Sequence, residues 1–254
     1  MELGLGLIEI GRPWGAGWNG LPSDEDVEEL LEAALEEGIL FWDTASSYGS
    51  SEERVGRFLR AQPEAASRIR VATKFGDVWA PGMEESYADH SYDSLLRSLD
   101  RSIERLGRID LLQVHRATEE ALRRADVYRA LDEAERRGVR EFGASVKTME
   151  AARLAIATGR FQWLQVPYNP LRREMEPVFA LAREHGLRLL VNRPFAEGRL
   201  LLDESGRPLA GEEARRSALA FQRRQAFDGY VLIGTKSAAH LRDNARLWRE
   251  TAAG

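Results

Sequence analysis

Residues 110–145 read DLLQVHRATEEALRRADVYRALDEAERRGVREFGAS, and this stretch contains a strand, a helix and a second strand in succession. The apolar run before His115 predicts the first strand, the charged segment that stops at Gly138 predicts the helix, and EFGAS predicts the second strand. A helix that connects two neighbouring strands is the usual crossover of a parallel sheet. The segment therefore predicts an α/β unit.

The same alternation continues along the chain in both directions from this unit. Short apolar runs, each followed by a helical pattern, lie at 3–10, 40–43, 69–74, 110–115, 141–145, 163–169, 187–192 and 230–234. No linker separates these units, and no GxGxxG motif follows the first strand, which disfavours an open doubly wound sheet. The length of 254 residues suits a closed barrel, which typically needs ~250. We expect an α/β fold in which residues 1–254 form one (β/α)8 TIM barrel domain.

The overall composition is that of an ordinary globular protein, with 43% hydrophobic and 30% charged residues. The formal net charge of -5 disfavours a nucleic-acid partner. The chain has no cysteine, which excludes disulfides and thiolate metal sites, and His90, His185 and His240 show no metal-ligand spacing, so no metal is expected. The amino-terminal residues predict a strand rather than a signal peptide, and no apolar stretch approaches the ~20 residues of a membrane span. We expect a cytoplasmic protein without membrane association.

Lysine is rare in this chain. Only three of the 36 basic residues are lysine, namely Lys74, Lys147 and Lys236. A genome bias toward arginine is the simplest explanation of the pattern. Under such a bias a remaining lysine is expected where a compact ammonium is needed, because a guanidinium has a different shape and does not deprotonate.

Four polar residues lie at the carboxyl ends of neighbouring predicted strands, where an α/β barrel has its active site. Asp43 ends the second strand and Tyr48 follows it, Lys74 ends the third strand, and His115 ends the fourth. Each residue alone has a simple structural explanation, as a turn cap, a packed ring, a surface cation or a hydrogen-bonded histidine. Together they can act on a carbonyl group. A lysine held by an aspartate lowers the pKa of a tyrosine, which protonates an oxygen that a neutral histidine orients.

The sequence around these residues resembles the aldo-keto reductase family. Residues 41–56, FWDTASSYGSSEERVG, resemble the family signature D-T-A-x-x-Y-G-x-S-E-x-x-V-G, and the four polar residues have the spacings of the family's catalytic tetrad. Residues 98–116 look like the segment that leads to the family's catalytic histidine. Residues 142–145, 164–171 and 232–244 match the regions of the fifth, sixth and eighth strands. The resemblance covers most of the chain.

The resemblance implies an oxidoreductase that reduces an aldehyde or ketone to an alcohol, or catalyses the reverse reaction, with NADP(H) or NAD(H) as cofactor. Tyr48 would be the general acid, Lys74 and Asp43 would tune it, and His115 would orient the carbonyl. The implied cofactor contacts are Ser145 and Gln165 at the nicotinamide amide, Tyr168 stacked on its ring, Gly234, Thr235, Lys236 and Ser237 at the phosphates, and His240 and Asn244 in the last helix. Backbone N–H groups at the start of that helix suit an anion independently of any family.

Departures from the family pattern bear on the cofactor. His240 occupies the position at which NADP-preferring members carry Arg, and Gly234 stands where many members carry Lys. A 2′-phosphate is bound best by a permanent cation, so we expect weak discrimination between NADPH and NADH. Lys236 is the expected remaining phosphate contact, and Arg242, about 200° round the helix from His240, is expected to point away. We also expect the barrel to lack the family's N-terminal hairpin.

Aromatic residues in the loops after strands one, three and seven are candidate substrate contacts, with simple loop packing as the alternative for each: Trp14, Trp18, Trp79, Tyr87 and Phe195. The expected partner is a small carbonyl compound or alcohol, and the sequence indicates neither its identity nor an oligomeric state. Two other functions remain open. One is a lyase that uses Lys74 as a Schiff-base amine, and the other is a regulatory protein that binds the cofactor with vestigial catalysis.

Overall fold

The computed structural model describes residues 1–16, 18–207, 209 and 211–251, and within these ranges eight parallel strands close into a barrel. The barrel strands are β1 (Glu2–Gly6), β2 (Phe41–Asp43), β3 (Arg70–Phe75), β4 (Leu111–Val114), β5 (Glu141–Ser145), β6 (Trp163–Pro167), β7 (Arg188–Asn192) and β8 (Gly229–Gly234). Each strand pairs with the next in chain order, and β1 also pairs with β8, with Leu5 opposite Ile233. The predicted (β/α)8 TIM barrel is confirmed.

A helix follows each barrel strand. These helices are α1 (Asp24–Glu36), α2 (Ser51–Ala61), α3 (Tyr92–Leu106), α4 (Ala125–Arg136), α5 (Met149–Ala157), α6 (Val178–Glu184), α7 (Glu213–Arg223) and α8 (Ala238–Glu250). Their ends follow local sequence signals. Ser23 and Asp26 form a reciprocal capping box at the start of α1, and Gly107 ends α3 in a left-handed conformation with φ of 79°. Among the described residues, no helix is long and apolar enough to cross a membrane.

The structure departs from the predicted element boundaries mainly in the loops. The first strand ends at Gly6 rather than at Ile10, because Ile8–Ile10 winds into a 3-10 turn. The connection after β3 contains an antiparallel hairpin formed by Asp77–Val78 and Tyr87–Ala88. Elements this short show no hydrophobic period, so the sequence pattern did not predict them.

Side chains fill the interior of the barrel toward the amino ends of its strands. An inner cluster, separate from the larger core, is formed by Phe41, Ala72, Leu111, Trp163, Leu190 and Leu232. Glu141, the first residue of β5, accepts a hydrogen bond from Trp163 Nε1 at 2.5 Å. It also pairs with Arg70 at 2.6 Å and with Arg188 at 3.4 Å. The packed interior leaves the carboxyl ends of the strands to form the pocket described next.

Candidate active site

A pocket of about 890 Å³ opens at the carboxyl ends of the barrel strands. The loops after β1 and β7 meet across it, where the Ala16 N–H donates a hydrogen bond to the Glu197 carbonyl at 2.8 Å. Three of the four predicted catalytic residues, Asp43, Tyr48 and His115, line the pocket. Lys74 is fully buried against them, so the four residues come together as the sequence predicted.

Lys74 and Asp43 form a buried ion pair at the pocket floor. Lys74 Nζ lies 2.5 Å from Asp43 Oδ2 and donates a hydrogen bond to the Thr44 carbonyl at 2.8 Å. The other carboxylate oxygen accepts from Gln113 Nε2 at 2.8 Å. Burial acts to lower the pKa of Lys74, but the Asp43 carboxylate and the Tyr48 phenol outweigh it and the pKa is raised. The lysine is therefore held as a charged ammonium in a fixed position.

Tyr48 lies beside this ion pair on a loop that packs tightly against the connection between β1 and α1. The centroid of its ring is 4.8 Å from Lys74 Nζ. A Cβ atom added to Gly11 would lie 1.8 Å from the Tyr48 carbonyl oxygen, so the two loops approach this closely only because residue 11 is glycine. This contact holds the tyrosine loop against the pocket wall.

The pKa of Tyr48 differs from the expectation drawn from the sequence. Burial raises the pKa of the phenol, and Lys74 lowers it by less than burial raises it, while Asp43 raises it further. The lowering by lysine is thus present, but desolvation is larger and the net shift is upward. The Tyr48 hydroxyl is protonated at neutral pH, which suits a proton donor.

His115 lies edge-on against Tyr48 in the pocket, with the two ring centroids 5.8 Å apart at an interplanar angle of 77°. Burial lowers the pKa of His115 well below its ordinary value, and nearby cations, Lys74 foremost, lower it further. Its Nδ1 atom lies 3.8 Å from Asp77 Oδ2. The imidazole is therefore neutral at physiological pH and can form a hydrogen bond with a carbonyl oxygen.

Most of the predicted cofactor contacts lie on the pocket wall. Its lining includes Ser145 and, from the loop after β8 and the start of α8, Gly234, Thr235, Lys236, Ser237 and His240. Ser237 caps α8 by accepting a hydrogen bond from the His240 N–H at 3.3 Å. Gln165 Nε2 and Asn244 Oδ1 are buried, and neither has a hydrogen-bond partner among the described residues. Neither residue belongs to the pocket lining, but Gln165 pairs with Ser145 in the barrel, so its unpartnered amide lies next to the pocket wall.

Tyr168 does not occupy the place expected of it. The side chain is 0% exposed, and its ring packs against Phe179 and Phe221 at centroid distances of 4.9 and 5.1 Å. Its hydroxyl accepts a hydrogen bond from Gln225 Nε2 at 2.9 Å. The ring thus belongs to the core between the barrel and its helices, and the predicted stacking on a nicotinamide is corrected.

Asn192 is a pocket residue that the sequence analysis missed. It ends β7, lines the pocket, and has a buried Oδ1 atom with no hydrogen-bond partner in the described part of the chain. Its position at the carboxyl end of a barrel strand was the available signal.

Lys236 crosses the pocket toward the loop after β1. Its ammonium donates to Asn19 Oδ1 and to the Gly20 carbonyl, and lies 4.4 Å from the centroid of the Trp18 ring. Arg242 instead donates to Glu36 of α1 at 3.0 Å and is not part of the pocket lining. The side chain of Arg242 therefore points away from the pocket, as its position on the helix predicted.

The candidate substrate contacts separate into two groups. Trp14, Trp18 and Phe195 line the pocket. Trp79 does not, and its ring instead lies 5.1 Å from the guanidinium carbon of Arg12. Tyr87 is on the short hairpin, 52% exposed and outside the lining. Trp79 and Tyr87 therefore belong to the loops and are not substrate contacts in this pocket.

The pocket wall also contains cations that the sequence analysis did not assign to the site. Arg12, Arg116, Lys147 and Arg193 all belong to its lining. In an arginine-rich chain a single arginine carries little sequence signal, although the rarity of lysine marked Lys147 as a position of interest.

Comparisons with known proteins agree with this architecture. The chain is 32% identical over 206 residues to the aldo-keto reductase str7 of Strobilurus tenacellus, covering 78% of this chain and 59% of that protein. It is 28% identical to the pyridoxal 4-dehydrogenase of Microbacterium luteolum, covering 98% and 89% of the two chains. A solved Pseudomonas aeruginosa structure of the aldo-keto reductase type superposes with a TM-score of 0.81 at 29% identity, covering 98% and 90%.

The matched region thus spans about three fifths of str7, the first of these relatives. The sequence model of the Aldo/keto reductase family matches residues 2–217, which is most of the chain. The protein therefore belongs to the aldo/keto reductase family.

Proposed function

We propose that this protein is an NAD(P)H-dependent oxidoreductase that interconverts an aldehyde or ketone and an alcohol, with Tyr48 as general acid and base. The observation that carries the proposal is the arrangement at the pocket floor. A buried Asp43–Lys74 ion pair lies beside the Tyr48 phenol, and the ring of a neutral His115 lies edge-on against the Tyr48 ring. Such a set can hold a carbonyl oxygen and protonate it.

The residues around the pocket fit a nicotinamide cofactor. Ser145 and the unpartnered amide of Gln165 are suited to bind the nicotinamide carboxamide. Asn192, whose buried Oδ1 has no partner among the described residues, is a further candidate cofactor contact. The loop from Gly234 to Ser237 and the N–H groups at the start of α8 are suited to phosphates. When bound, a reduced nicotinamide supplies the hydride that the carbonyl carbon receives.

The chain's own residues then handle the proton and the substrate orientation. His115 donates a hydrogen bond to the carbonyl oxygen and holds it toward the Tyr48 hydroxyl, which donates its proton to that oxygen. Lys74 stabilises the phenolate that forms, and Asp43 keeps the lysine charged and in place. In the reverse direction the phenolate accepts the proton of the alcohol, so oxidation is favoured by high pH because the pKa of Tyr48 is raised.

We further propose that discrimination between NADPH and NADH is weak. His240 stands near the start of α8, while Glu9, Asp26 and Glu29 bring carboxylates to the same pocket lining. These negative charges repel a 2′-phosphate. Lys236 is hydrogen-bonded to the loop after β1, so its ammonium must break those bonds before it can contact the 2′-phosphate.

The ratio of the dissociation constants of NADPH and NADH tests this proposal. We expect a ratio within about tenfold, equivalent to about 1.4 kcal/mol. Lys236→Ala should weaken NADPH binding more than NADH binding, and Arg242→Ala, which changes the charge by the same amount on the side of α8 away from the pocket, should change neither. A large NADPH preference that is abolished by Arg242→Ala alone would overturn it.

The surroundings of Lys74 disfavour the lyase alternative. A Schiff-base lysine must present a neutral amine to the substrate. Lys74 is 0% exposed, its pKa is raised, and its Nζ atom is engaged by Asp43 and the Thr44 carbonyl. Borohydride trapping with carbonyl compounds should therefore give no adduct at Lys74.

The direct experiment is a cofactor-oxidation assay over a panel of aldehydes, ketones and sugars, with NADPH and with NADH. We expect turnover of at least one class of carbonyl compound with both cofactors. Cofactor binding without turnover of any carbonyl compound, and without oxidation of the corresponding alcohols, would favour the regulatory alternative.

We also propose that the barrel acts as one domain and that the protein is located in the cytoplasm.

A further inference from the structure

Four cationic side chains converge on one end of the pocket. Arg12, Arg116, Lys147 and Arg193 line it from the loops that follow β1, β4, β5 and β7. Arg12, Arg116 and Lys147 all act on His115, since each of them lowers the pKa of that imidazole after burial and Lys74. This group, called the mouth cations below, therefore surrounds the catalytic end of the pocket.

Arg12 is held in place with donors to spare. It is 9% exposed, and its Nη1 atom donates to the Ser47 carbonyl at 3.0 Å. Its guanidinium carbon lies 5.1 Å from the Trp79 ring centroid and 6.0 Å from that of Trp14. The Nε atom has no hydrogen-bond partner among the described residues. A buried guanidinium with an unused N–H group is costly unless an acceptor binds there.

The carboxylates nearby do not balance the mouth cations. Arg116 Nε lies 2.8 Å from Asp77 Oδ1, and Arg193 pairs with Glu197. Lys147 has no carboxylate within 4.0 Å in the described part of the chain, and neither has Arg12. The Asp43 carboxylate is already neutralised by Lys74 at the pocket floor. Two positive charges are left in excess at this end of the pocket.

The backbone supports a functional role for this arrangement. Among the described residues, non-glycine residues with positive φ are Arg116 (46°), Arg193 (60°), Ala196 (51°) and Glu197 (62°), and two of these are mouth cations. A left-handed backbone is unfavourable for such residues and tends to occur at functional sites, where the surrounding structure enforces it. Here it accompanies the placement of two guanidinium groups in the pocket lining.

We propose that the pocket selects carbonyl substrates that carry a carboxylate, which Arg12 and Lys147 bind while the carbonyl lies between Tyr48 and His115. The proposal rests on the proposed reductase function and adds the substrate class to it. A guanidinium offers a planar pair of donors that match a carboxylate, and an ammonium adds a point charge. Arg116 and Arg193 are each paired with an acid, so they line the site without being the primary contacts.

Binding of benzoate and of benzamide, two probes of the same shape that differ in charge, tests the site without requiring turnover. Calorimetric titrations would use the protein saturated with oxidised cofactor. We expect benzoate to bind about 10- to 100-fold more tightly than benzamide, the usual worth of a charge-assisted contact. Lys147→Gln and Arg12→Met should each remove most of this difference. Because Lys147 is exposed at the pocket rim, its substitution tests the site even if the buried Arg12→Met variant fails to fold.

Arg153→Gln is the matched control. Arg153 is exposed on α5, six residues from Lys147, and has no ion pair in the described part of the chain. It should keep the preference for benzoate. Equal binding of the two probes, an equal loss of preference in Arg153→Gln, or weakened binding of the cofactor rather than of benzoate would each overturn the proposal.

Turnover separates this proposal from the reductase function itself. If both hold, kcat/KM for 4-formylbenzoate should exceed that for 4-formylbenzamide by about tenfold or more. Equal reduction of both aldehydes would overturn the carboxylate site and leave the reductase function standing. Selective binding of benzoate without reduction of any carbonyl compound would support the anion site and contradict the reductase function.

Discussion

Lys74 is fully buried, with the Asp43 carboxylate, the Thr44 carbonyl and the Tyr48 ring around its ammonium. The three groups lie so close to the Lys74 ammonium that a larger cation does not fit among them. A guanidinium keeps the charge, but its planar fork cannot place one compact group among the three partners.

Lys74→Arg should therefore retain a folded barrel and lose activity. We expect kcat/KM to fall by about 100-fold or more, because a guanidinium keeps the positive charge but cannot place it compactly beside the phenolate of Tyr48. Steady-state kinetics measure the loss, and circular dichroism checks the fold. An active Lys74→Arg enzyme would show that positive charge alone suffices at this position.

Sequence spacing predicted the four polar residues of the site but not their environments. The pKa of Tyr48 depends on how far burial outweighs Lys74, and burial is decided by loops distant in sequence, such as the one at Gly11. Tyr168 follows a barrel strand as a pocket residue should, yet its ring turns into the core. Which way one side chain turns at a strand end depends on the helices packed behind it, and the local pattern does not contain that information.

At the scale of elements, a buried glutamate ties three of them together. Glu52 of α2 is 0% exposed and accepts hydrogen bonds from Thr73 Oγ1 of β3 and Ser102 Oγ of α3, both at 2.6 Å. Its second oxygen lies 3.3 Å from Arg105 Nη1. This network fixes β3, and with it Lys74, against the outer helices.

Glu52→Ala should destabilise the protein by about 3–5 kcal/mol, because it leaves buried hydroxyls and a partly buried guanidinium without their acceptor. Glu53→Ala is the matched control, since Glu53 is the next residue of α2 and is exposed. It should change the free energy of unfolding by less than about 0.5 kcal/mol. Urea unfolding measures both, and equal effects would show that the network contributes nothing specific.

Strand and helix types followed from local patterns, since the barrel strands are short apolar runs and several helices have an apolar face with a cap or stop signal. Gly138 marked the end of the helix between β4 and β5, which the structure ends at Arg136. The hairpin after β3 was not predictable, because two-residue strands pair through backbone contacts that leave no period in the sequence.

At the scale of the whole molecule, charged side chains join strands at the amino end of the barrel. Glu141 of β5 connects Arg70 of β3 and Arg188 of β7, with the Trp163 indole N–H as a further donor. Burial acts to raise the pKa of Glu141, but Trp163 and the two arginines outweigh it and the pKa is lowered. A carboxyl with a lowered pKa in the folded state stabilises the fold above its ordinary pKa and loses that contribution as the pH falls.

Glu141→Gln should therefore weaken the fold at neutral pH and make it less sensitive to acid. The wild type should lose more stability than the variant as the pH falls below about 4.5, the ordinary pKa of the side chain. Glu104→Gln, an exposed position on α3, serves as the control and should follow the wild type. Thermal unfolding from pH 7 to pH 3 measures the difference, and parallel curves for all three proteins would contradict it.

The closed barrel was predictable because the sequence contains eight successive strand–helix units, the number that a (β/α)8 barrel needs. The excess positive charge at the pocket mouth was not, since it arises only when four loops remote in sequence meet. An arginine-rich surface supplies many guanidinium groups, and only the fold decides which of them face the pocket.

The central claim is that the Tyr48 hydroxyl donates and accepts the proton of the reaction, and Tyr48→Phe tests it most directly. The dissociation constant of the cofactor and kcat for carbonyl reduction should be measured in the same variant. The ring fills its place without the hydroxyl, so cofactor binding should be kept while kcat falls by roughly 10²–10⁴-fold. Tyr87→Phe removes the same atom from an exposed ring outside the pocket and should behave as the wild type. A Tyr48→Phe enzyme that reduces carbonyl compounds at nearly the wild-type rate would contradict the account.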